Sequence, residues 1–137
     1  MTTIKFGEKE YNIKFAYEPT LKSRILSKIV SLEDELKNGM SSADKAEDMM
    51  LLIPEIILIG LQKFHRNDFG YDYDSGSGKQ EQLSKVFDLV DDYFDSNEDA
   101  SALDLYDKLQ KEMLANSFLS KIFQKEKDVL EGQSKEE

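Results

Sequence analysis

The most apolar window of the chain is a run of 16 residues that reads Met49-Met50-Leu51-Leu52-Ile53-Pro54-Glu55-Ile56-Ile57-Leu58-Ile59-Gly60-Leu61-Gln62-Lys63-Phe64. Eleven of the 16 are apolar, and from Glu55 onward they cover most faces of a helix. The run is shorter than the ~18–20 residues that a transmembrane helix needs. Such a helix is either the centre of a small domain or a surface that a partner covers. Pro54 predicts a kink or a break within it.

A β-hairpin is predicted before this helix. Ile4-Lys5-Phe6 and Tyr11-Asn12-Ile13-Lys14-Phe15 alternate apolar and polar residues, as half-buried strands do. Gly7-Glu8-Lys9-Glu10 supplies the turn between them. A lone hairpin is marginal in water, so we expect its apolar face to rest on the helices that follow.

The other helices are predicted from apolar residues that recur at steps of three and four. One opens at Pro19-Thr20 and ends at Asn38-Gly39, and the next begins near Ala43 after the cap Ser41-Ser42. The expected core-facing residues are Leu21, Ile25, Ile29, Leu32 and Leu36 in the first helix, Leu83, Val86, Phe87, Val90 and Phe94 after a loop at 67–79, and Leu105, Tyr106, Leu109 and Met113 in the last.

Together these elements predict an α+β fold that is mostly α, with the N-terminal β-hairpin packed on a bundle of four or five helices. We expect a single domain over residues 4–130. Asn116-Ser117 interrupts the last helix, and Phe118, Leu119, Ile122 and Phe123 form a final apolar face. The polar residues 131–137 are expected to form a flexible tail.

The charge of the chain is concentrated in one stretch. The 137 residues include 28 acidic and 18 basic ones, for a net charge of −10. Residues 67–107 hold 12 acidic and 2 basic residues, which accounts for the whole excess. Affinity for nucleic acid and for anionic membranes depends on clustered Lys and Arg, so neither is an expected partner.

Neither a metal site, a cofactor nor a catalytic site is expected. The chain has no cysteine, which excludes disulfides, thiolate metal sites and cysteine nucleophiles. Asp95, Asn97 and Asp99 match the first three ligand positions of an EF-hand loop, but Ala100 and Tyr106 replace its glycine and its bidentate glutamate. The one histidine, His65, lies at an expected helix end, where the structural role is the common one.

The strongest remaining signal is an acidic helix face, defined here as Asp88, Asp91, Asp92 and Asp95. The last three lie in the final turns of their helix, where the negative end of the helix dipole disfavours carboxylates by a few tenths of a kcal/mol. Two interpretations stay open. The face is solvated and keeps the protein soluble, or it docks a basic partner segment.

Several stretches in order resemble the tail assembly chaperones of long-tailed phages of Gram-positive bacteria. The resemblance covers residues 4–123. It is carried by Gly7-Glu8-Lys9-Glu10-Tyr11-Asn12-Ile13-Lys14-Phe15, Leu52-Ile53-Pro54-Glu55-Ile56-Ile57-Leu58-Ile59-Gly60-Leu61-Gln62-Lys63-Phe64-His65, Phe69-Gly70-Tyr71, Leu89-Val90-Asp91-Asp92-Tyr93-Phe94 and Leu114-Ala115-Asn116-Ser117-Phe118-Leu119.

The resemblance implies a role without catalysis. Proteins of this family coat the long, helical, aggregation-prone tape-measure protein in the host cytoplasm, keep it soluble, help recruit tail-tube subunits and leave before the virion is complete. Many exist with a longer, frameshifted form of themselves, and this chain is similar to the short form. The implied partners are therefore the tape-measure protein, the tail-tube protein and the frameshifted form. Homo-oligomers stay open.

Two groups of residues follow as candidates for partner contact. Ile57, Leu58 and Leu61 are assigned to self-association or to the client, because their helix is apolar on more than one face. The acidic face is assigned to a basic patch of the client or of the tube protein.

The alternative function is a small acidic regulatory protein that binds a basic partner by mimicking the charge of DNA. The gene and its neighbourhood discriminate between the two functions: a slippery codon run near the codons for Ser134-Lys135, an overlapping downstream frame and then a very long helical reading frame would favour the chaperone.

Overall fold

The computed structural model describes residues 2–37, 43–115 and 118. Its elements, in chain order, are β1 (Thr2–Phe6), β2 (Lys9–Ile13), α1 (Tyr17–Lys22), α2 (Ile25–Lys37), α3 (Ala43–Leu61), α4 (Arg66–Phe69), α5 (Lys79–Ser96) and α6 (Ala102–Leu114). The predicted α+β architecture is confirmed: an antiparallel hairpin packs against a mostly helical body.

The hairpin follows the predicted alternation. Strands β1 and β2 pair in antiparallel register from Thr2 opposite Ile13 to Phe6 opposite Lys9. Gly7 has a φ of +65° in the two-residue turn, a conformation that glycine adopts without strain. The apolar side chains of one face are buried, namely Ile4, Phe6, Ile13 and Phe15. They pack on α3 and α5, the support that a lone hairpin lacks.

Helix α3 is the centre of the domain and contacts the hairpin, α2, α5 and α6. It begins at Ala43 as predicted, but it is continuous through Pro54, so the predicted break is absent. Pro54 itself is buried. A proline inside a helix costs about 3 kcal/mol. The fully buried neighbours Ile53 and Ile56 supply the packing that offsets this cost.

The predicted first helix is divided in two. Helix α1 ends at Lys22, and α2 begins at Ile25 after Arg24, whose φ is +60°. Ile25, Ile29 and Leu32 are buried as predicted. Leu21 is exposed, because it belongs to α1 and does not continue the stripe of α2.

The predicted stripe of α5 is partly wrong. Val86 is buried and Leu83, Val90 and Phe94 are half-buried, but Phe87 is exposed and Leu89 takes its place in the core. In contrast, all four residues predicted for the last helix, Leu105, Tyr106, Leu109 and Met113, are buried in α6. Ser101 and Asp104 form a capping box at the start of α6.

Several predictions lie outside the described residues. These are the helix end at Asn38-Gly39, the cap Ser41-Ser42, the burial of Leu36, the interruption at Asn116-Ser117, the face formed by Leu119, Ile122 and Phe123, and the tail 131–137. Phe118 is described, and its ring makes an edge contact with Tyr17, with 5.2 Å between the centroids. Within the described part of the chain, none of the helices is long and apolar enough to cross a membrane.

Candidate functional site

The three apolar residues predicted to contact a partner lie in the core. The side chains of Ile57, Leu58 and Leu61 have no exposed area. They are enclosed because the hairpin, α5 and α6 pack around α3. The prediction that these residues form a contact surface is therefore wrong for this structure, and the alternative of a central core helix is the correct one.

The acidic face, in contrast, lies on the surface. All four of its carboxylates are exposed along the solvent side of α5, an 18-residue helix. The opposite side of α5 is fixed by the buried side chains of Val86 and Leu89. Among the residues that the structure describes, no Lys or Arg forms an ion pair with the acidic face.

The acidic face belongs to the longer acidic stretch of residues 67–107. All 12 carboxylates of residues 67–107 are exposed. Of these, Asp74 alone has an ion-pair partner in the described regions, Lys22. Asp72 instead accepts hydrogen bonds from the amides of Ser75 and Asp74, which hold its pKa below the usual range. The negative charge of residues 67–107 is thus largely unneutralised by ion pairs within the described regions.

An exposed aromatic ring lies beside the acidic face. Phe87 has 47% of its area exposed and lies between Val86 and Asp88 on α5. Asp91 follows it by four residues, so the two share one side of the helix. The apolar spacing of α5 predicts Phe87 in the core, and this prediction is wrong. The exposed ring and the carboxylates together form a surface suited to a segment that is both basic and apolar.

Hydrogen bonds hold the N-terminal part of α5 against the preceding segment. The amide Nε2 of Gln82 donates to the carbonyl of Gly70 at 2.9 Å, and Lys85 Nζ donates to the carbonyl of Asp68 at 3.1 Å. At the other end of α5, the Cβ of Asp92 packs near the hairpin turn, 3.4 Å from where a Cβ on Gly7 would stand. The acidic face is therefore presented on a helix that is held at both ends.

A buried glutamine links this segment to the central helix. Gln62 Nε2 donates to the carbonyls of Leu58 and Phe69, at 3.0 and 2.8 Å. Its Oε1 accepts from the hydroxyl of Tyr73 at 2.9 Å. Three partners satisfy the amide, as a buried polar group requires. The hydrogen bonds of Gln62 to Phe69 and Tyr73 position the loop that leads into α5.

His65 has a structural contact. Its Nε2 accepts a hydrogen bond from the backbone amide of Asn12 at 3.1 Å, and its ring meets the edge of Tyr11. An accepting Nε2 places the proton of the neutral ring on Nδ1. This bond attaches β2 to the segment after α3. The sequence indicated a structural role at a helix end, and the structure supplies a specific partner for it.

No group of three or more His, Asp or Glu residues in the described ranges is arranged to hold a metal ion. Asp95, Asn97 and Asp99, considered above as partial EF-hand ligands, all lie on the surface. Asn97 Nδ2 donates to the carbonyl of Tyr93 at 2.8 Å, which caps the end of α5.

No protein-family model, curated protein or solved structure matches this chain.

Proposed function

We propose that this protein is a phage tail assembly chaperone, which binds the tape-measure protein in the host cytoplasm, keeps it soluble and helps recruit tail-tube subunits. The proposal includes the tube protein and a frameshifted longer form as partners. It also includes release before the virion is complete. The acidic face is the client-binding surface in this proposal.

The resemblance in sequence supports the proposal across the domain. Its first four stretches correspond to the hairpin turn with β2, the second half of the central helix α3, the end of α4 with the two residues after it, and the second half of α5. The fifth begins at the end of α6 and lies mostly outside the described residues. These elements contact one another in the fold. The resemblance therefore includes the central helix and two elements packed on it, and is not confined to one surface helix.

The observation that carries the proposal is the unpaired acidic face with Phe87 beside it. A chaperone of one aggregation-prone helical client needs contact with apolar client surface and a charge that keeps the complex soluble. Four carboxylates without a cationic partner in the described structure attract a basic segment, and an exposed ring covers part of its apolar stripe.

The test is capture of the tape-measure protein of the same phage genome by the tagged chain during co-expression. The variant carries Asp88→Asn, Asp91→Asn, Asp92→Asn and Asp95→Asn. We expect it to capture much less client than the unmodified chain. Capture by the unmodified chain should also decline as salt rises, because salt screens exposed charges.

The matched control removes the same number of charges elsewhere in the acidic stretch, with Asp68→Asn, Glu98→Gln, Asp99→Asn and Asp107→Asn. These side chains are exposed and lie outside the acidic face. We expect the control to capture client as the unmodified chain does. Equal capture by all three proteins, at low and at high salt, contradicts the assignment of the acidic face.

A further inference from the structure

The backbone hydrogen bonds of the hairpin alternate along each strand. The pair that flanks its two-residue turn is Phe6 and Lys9. Such a pair exchanges both of its backbone hydrogen bonds, and every second pair beyond it does the same. The pairs in between direct their N–H and C=O groups away from the hairpin. In β1 these outward groups belong to Thr3 and Lys5.

The outer edge of β2 is occupied by the end of α3 and the segment after it. Asn12 directs its amide outward, as the alternation requires, and donates to His65 Nε2 at 3.1 Å. The amide of Lys14, two residues further on, donates to the carbonyl of Gly60 at 3.0 Å. These two bonds agree with the alternation, and they leave β1 as the edge at which the sheet can grow.

The outer edge of β1 is free and faces an open groove. Outside the hairpin, no hydrogen bond from any described residue reaches the backbone of Thr3 or Lys5. Tyr93 of α5 and Lys108 of α6 line the same groove as these two residues. The β1 groove, as we call it, therefore lies between two helices and a strand edge that presents two free amides and two free carbonyls.

The β1 groove is locally positive in a chain whose net charge is −10. Lys5 and Lys108 line it, against the one carboxylate of Glu8 in the turn. Neither lysine forms an ion pair with a residue that the structure describes. Tyr93 is half-buried, with its ring centroid 6.2 Å from that of Phe6. The groove thus offers two unpaired cations to carboxylates and part of an aromatic ring to an apolar side chain.

We propose that the β1 groove binds an extended acidic segment of a partner protein, which adds to β1 as a third, antiparallel strand. Strand addition satisfies the free amides and carbonyls of Thr3 and Lys5, and antiparallel pairing is the more stable direction. The site is separate from the acidic face, and it does not depend on the proposed chaperone function.

The pattern of the added strand follows from the two sides of the groove. Side chains directly opposite Thr3 and Lys5 lie on the same side of the sheet as these residues, where a carboxylate pairs with the ammonium group of Lys5. The alternate side chains face the helices, where an apolar group contacts Tyr93. The strand ends before the turn, where Glu8 lies and Asp92 approaches Gly7. At physiological salt, exposed charges are screened beyond about 8 Å, so the nearby lysines determine the preferred charge.

A blocked heptapeptide that alternates valine and glutamate is the probe. An NMR titration follows the backbone amides of Thr3 and Lys5, and we expect saturable shifts and slower hydrogen exchange at both. A matched peptide with lysine in place of glutamate should bind about fivefold more weakly or worse. The absence of a saturable shift at these amides up to about 5 mM glutamate peptide overturns the proposal. Equal binding of the two peptides overturns the acidic class of partner.

N-methylated peptides test the strand pairing without altering the protein. In an antiparallel strand, the residues opposite Thr3 and Lys5 donate to β1, and in this probe they are the glutamates. Methylation of two glutamate nitrogens should therefore abolish binding, whereas methylation of two valine nitrogens, the matched control, should leave it largely intact. Equal binding of the two methylated peptides, or a loss confined to the valine series, overturns the proposed pairing.

Two substitutions at Lys5 separate its amide from its charge. Lys5→Pro removes the outward N–H and breaks no bond within the hairpin, whereas Lys5→Ala keeps that N–H and removes the ammonium group. We expect the affinity for the glutamate peptide to fall by about tenfold or more in the first and by at most about fivefold in the second. The amide signals of Asn12 and Lys14 show in the same spectra whether the hairpin is intact. A folded Lys5→Pro protein that binds as tightly as Lys5→Ala overturns the proposal.

Discussion

Gly60 and Ile13 approach so closely that a Cβ on Gly60 would stand 2.5 Å from Cγ2 of Ile13. The carbonyl of Gly60 also accepts a hydrogen bond from the amide of Lys14 at 3.0 Å. The end of β2 therefore crosses the central helix at the one residue of α3 that has no side chain. This contact attaches the hairpin to the helical body.

Replacing Gly60 with alanine should destabilise the protein. Alanine is the better helix former by about 1 kcal/mol, but overpacking against Ile13 costs about 1–3 kcal/mol. We expect a lower free energy of unfolding in urea. Ser84→Ala, at an exposed position of α5, serves as the control and should leave stability unchanged or slightly higher. A Gly60→Ala protein more stable than the unmodified chain would show that the hairpin does not depend on this close approach.

Gln62→Leu should also destabilise the domain. It leaves the carbonyls of Leu58 and Phe69 without their side-chain donor and the hydroxyl of Tyr73 without its acceptor. An unsatisfied buried group costs about 1–3 kcal/mol, so we expect a loss in this range or somewhat above it. Chemical denaturation measures it, with Gln80→Leu at the exposed surface of α5 as the control. Equal effects of the two substitutions would contradict a role for the hydrogen bonds.

Thr20→Val should stabilise the protein. The hydroxyl of Thr20 is fully buried and has no hydrogen-bond partner among the described residues. Replacing it with a methyl group of similar size removes an unsatisfied polar atom, and we expect a gain of about 1 kcal/mol in the free energy of unfolding. Thr20→Ser keeps the hydroxyl and loses a methyl group, so it should destabilise. A less stable Thr20→Val protein would mean that the hydroxyl contributes to folding.

Stability should fall in alkaline solution as the buried tyrosines ionise. Burial, with smaller effects from Tyr73 and Glu55, raises the pKa of Tyr71 to about 12, and burial raises the pKa of Tyr106 to about 12 as well. In the unfolded chain, tyrosine ionises near pH 10. Between about pH 10 and 12, the unfolded state therefore loses protons that the folded state retains, and the free energy of unfolding declines.

Urea titrations at a series of alkaline pH values measure this decline. Tyr71→Phe and Tyr106→Phe each remove one ionising group, so each should reduce the slope of stability against pH above about pH 10. If both variants show the slope of the unmodified chain, the loss of stability comes from other groups.

The sequence predicts the hairpin and the start of α3 because both depend on local patterns. Alternating Ile4 and Phe6 define a buried strand face, and the apolar run after Ala43 predicts a central helix. The turn at Arg24 was missed, because a positive φ there has no glycine to indicate it. A break at Pro54 does not occur, and the sequence could not show this, because the packing that offsets a proline inside a helix comes from distant parts of the chain.

The candidate site was predicted only in part. The acidic face needs no tertiary information, since four carboxylates on one side of a helix are exposed wherever the helix packs. The exposure of Phe87 cannot be predicted without tertiary information. The apolar side of α5 is wide, and contacts with α3 and β1 decide which part of that side is buried. The assignment of Ile57 and Leu58 failed for the same reason. An all-apolar helix is compatible with a core or an interface, and the surrounding elements determine which.

The most direct test of the proposed chaperone is the solubility of its client. The tape-measure protein of the same phage genome is expressed alone, with the unmodified chain, and with the variant that carries asparagine at all four positions of the acidic face. The soluble fraction is then quantified. We predict that the client is largely insoluble alone, soluble with the unmodified chain and largely insoluble with the variant. A client whose soluble fraction is the same in the presence and absence of the unmodified chain would contradict the proposed function.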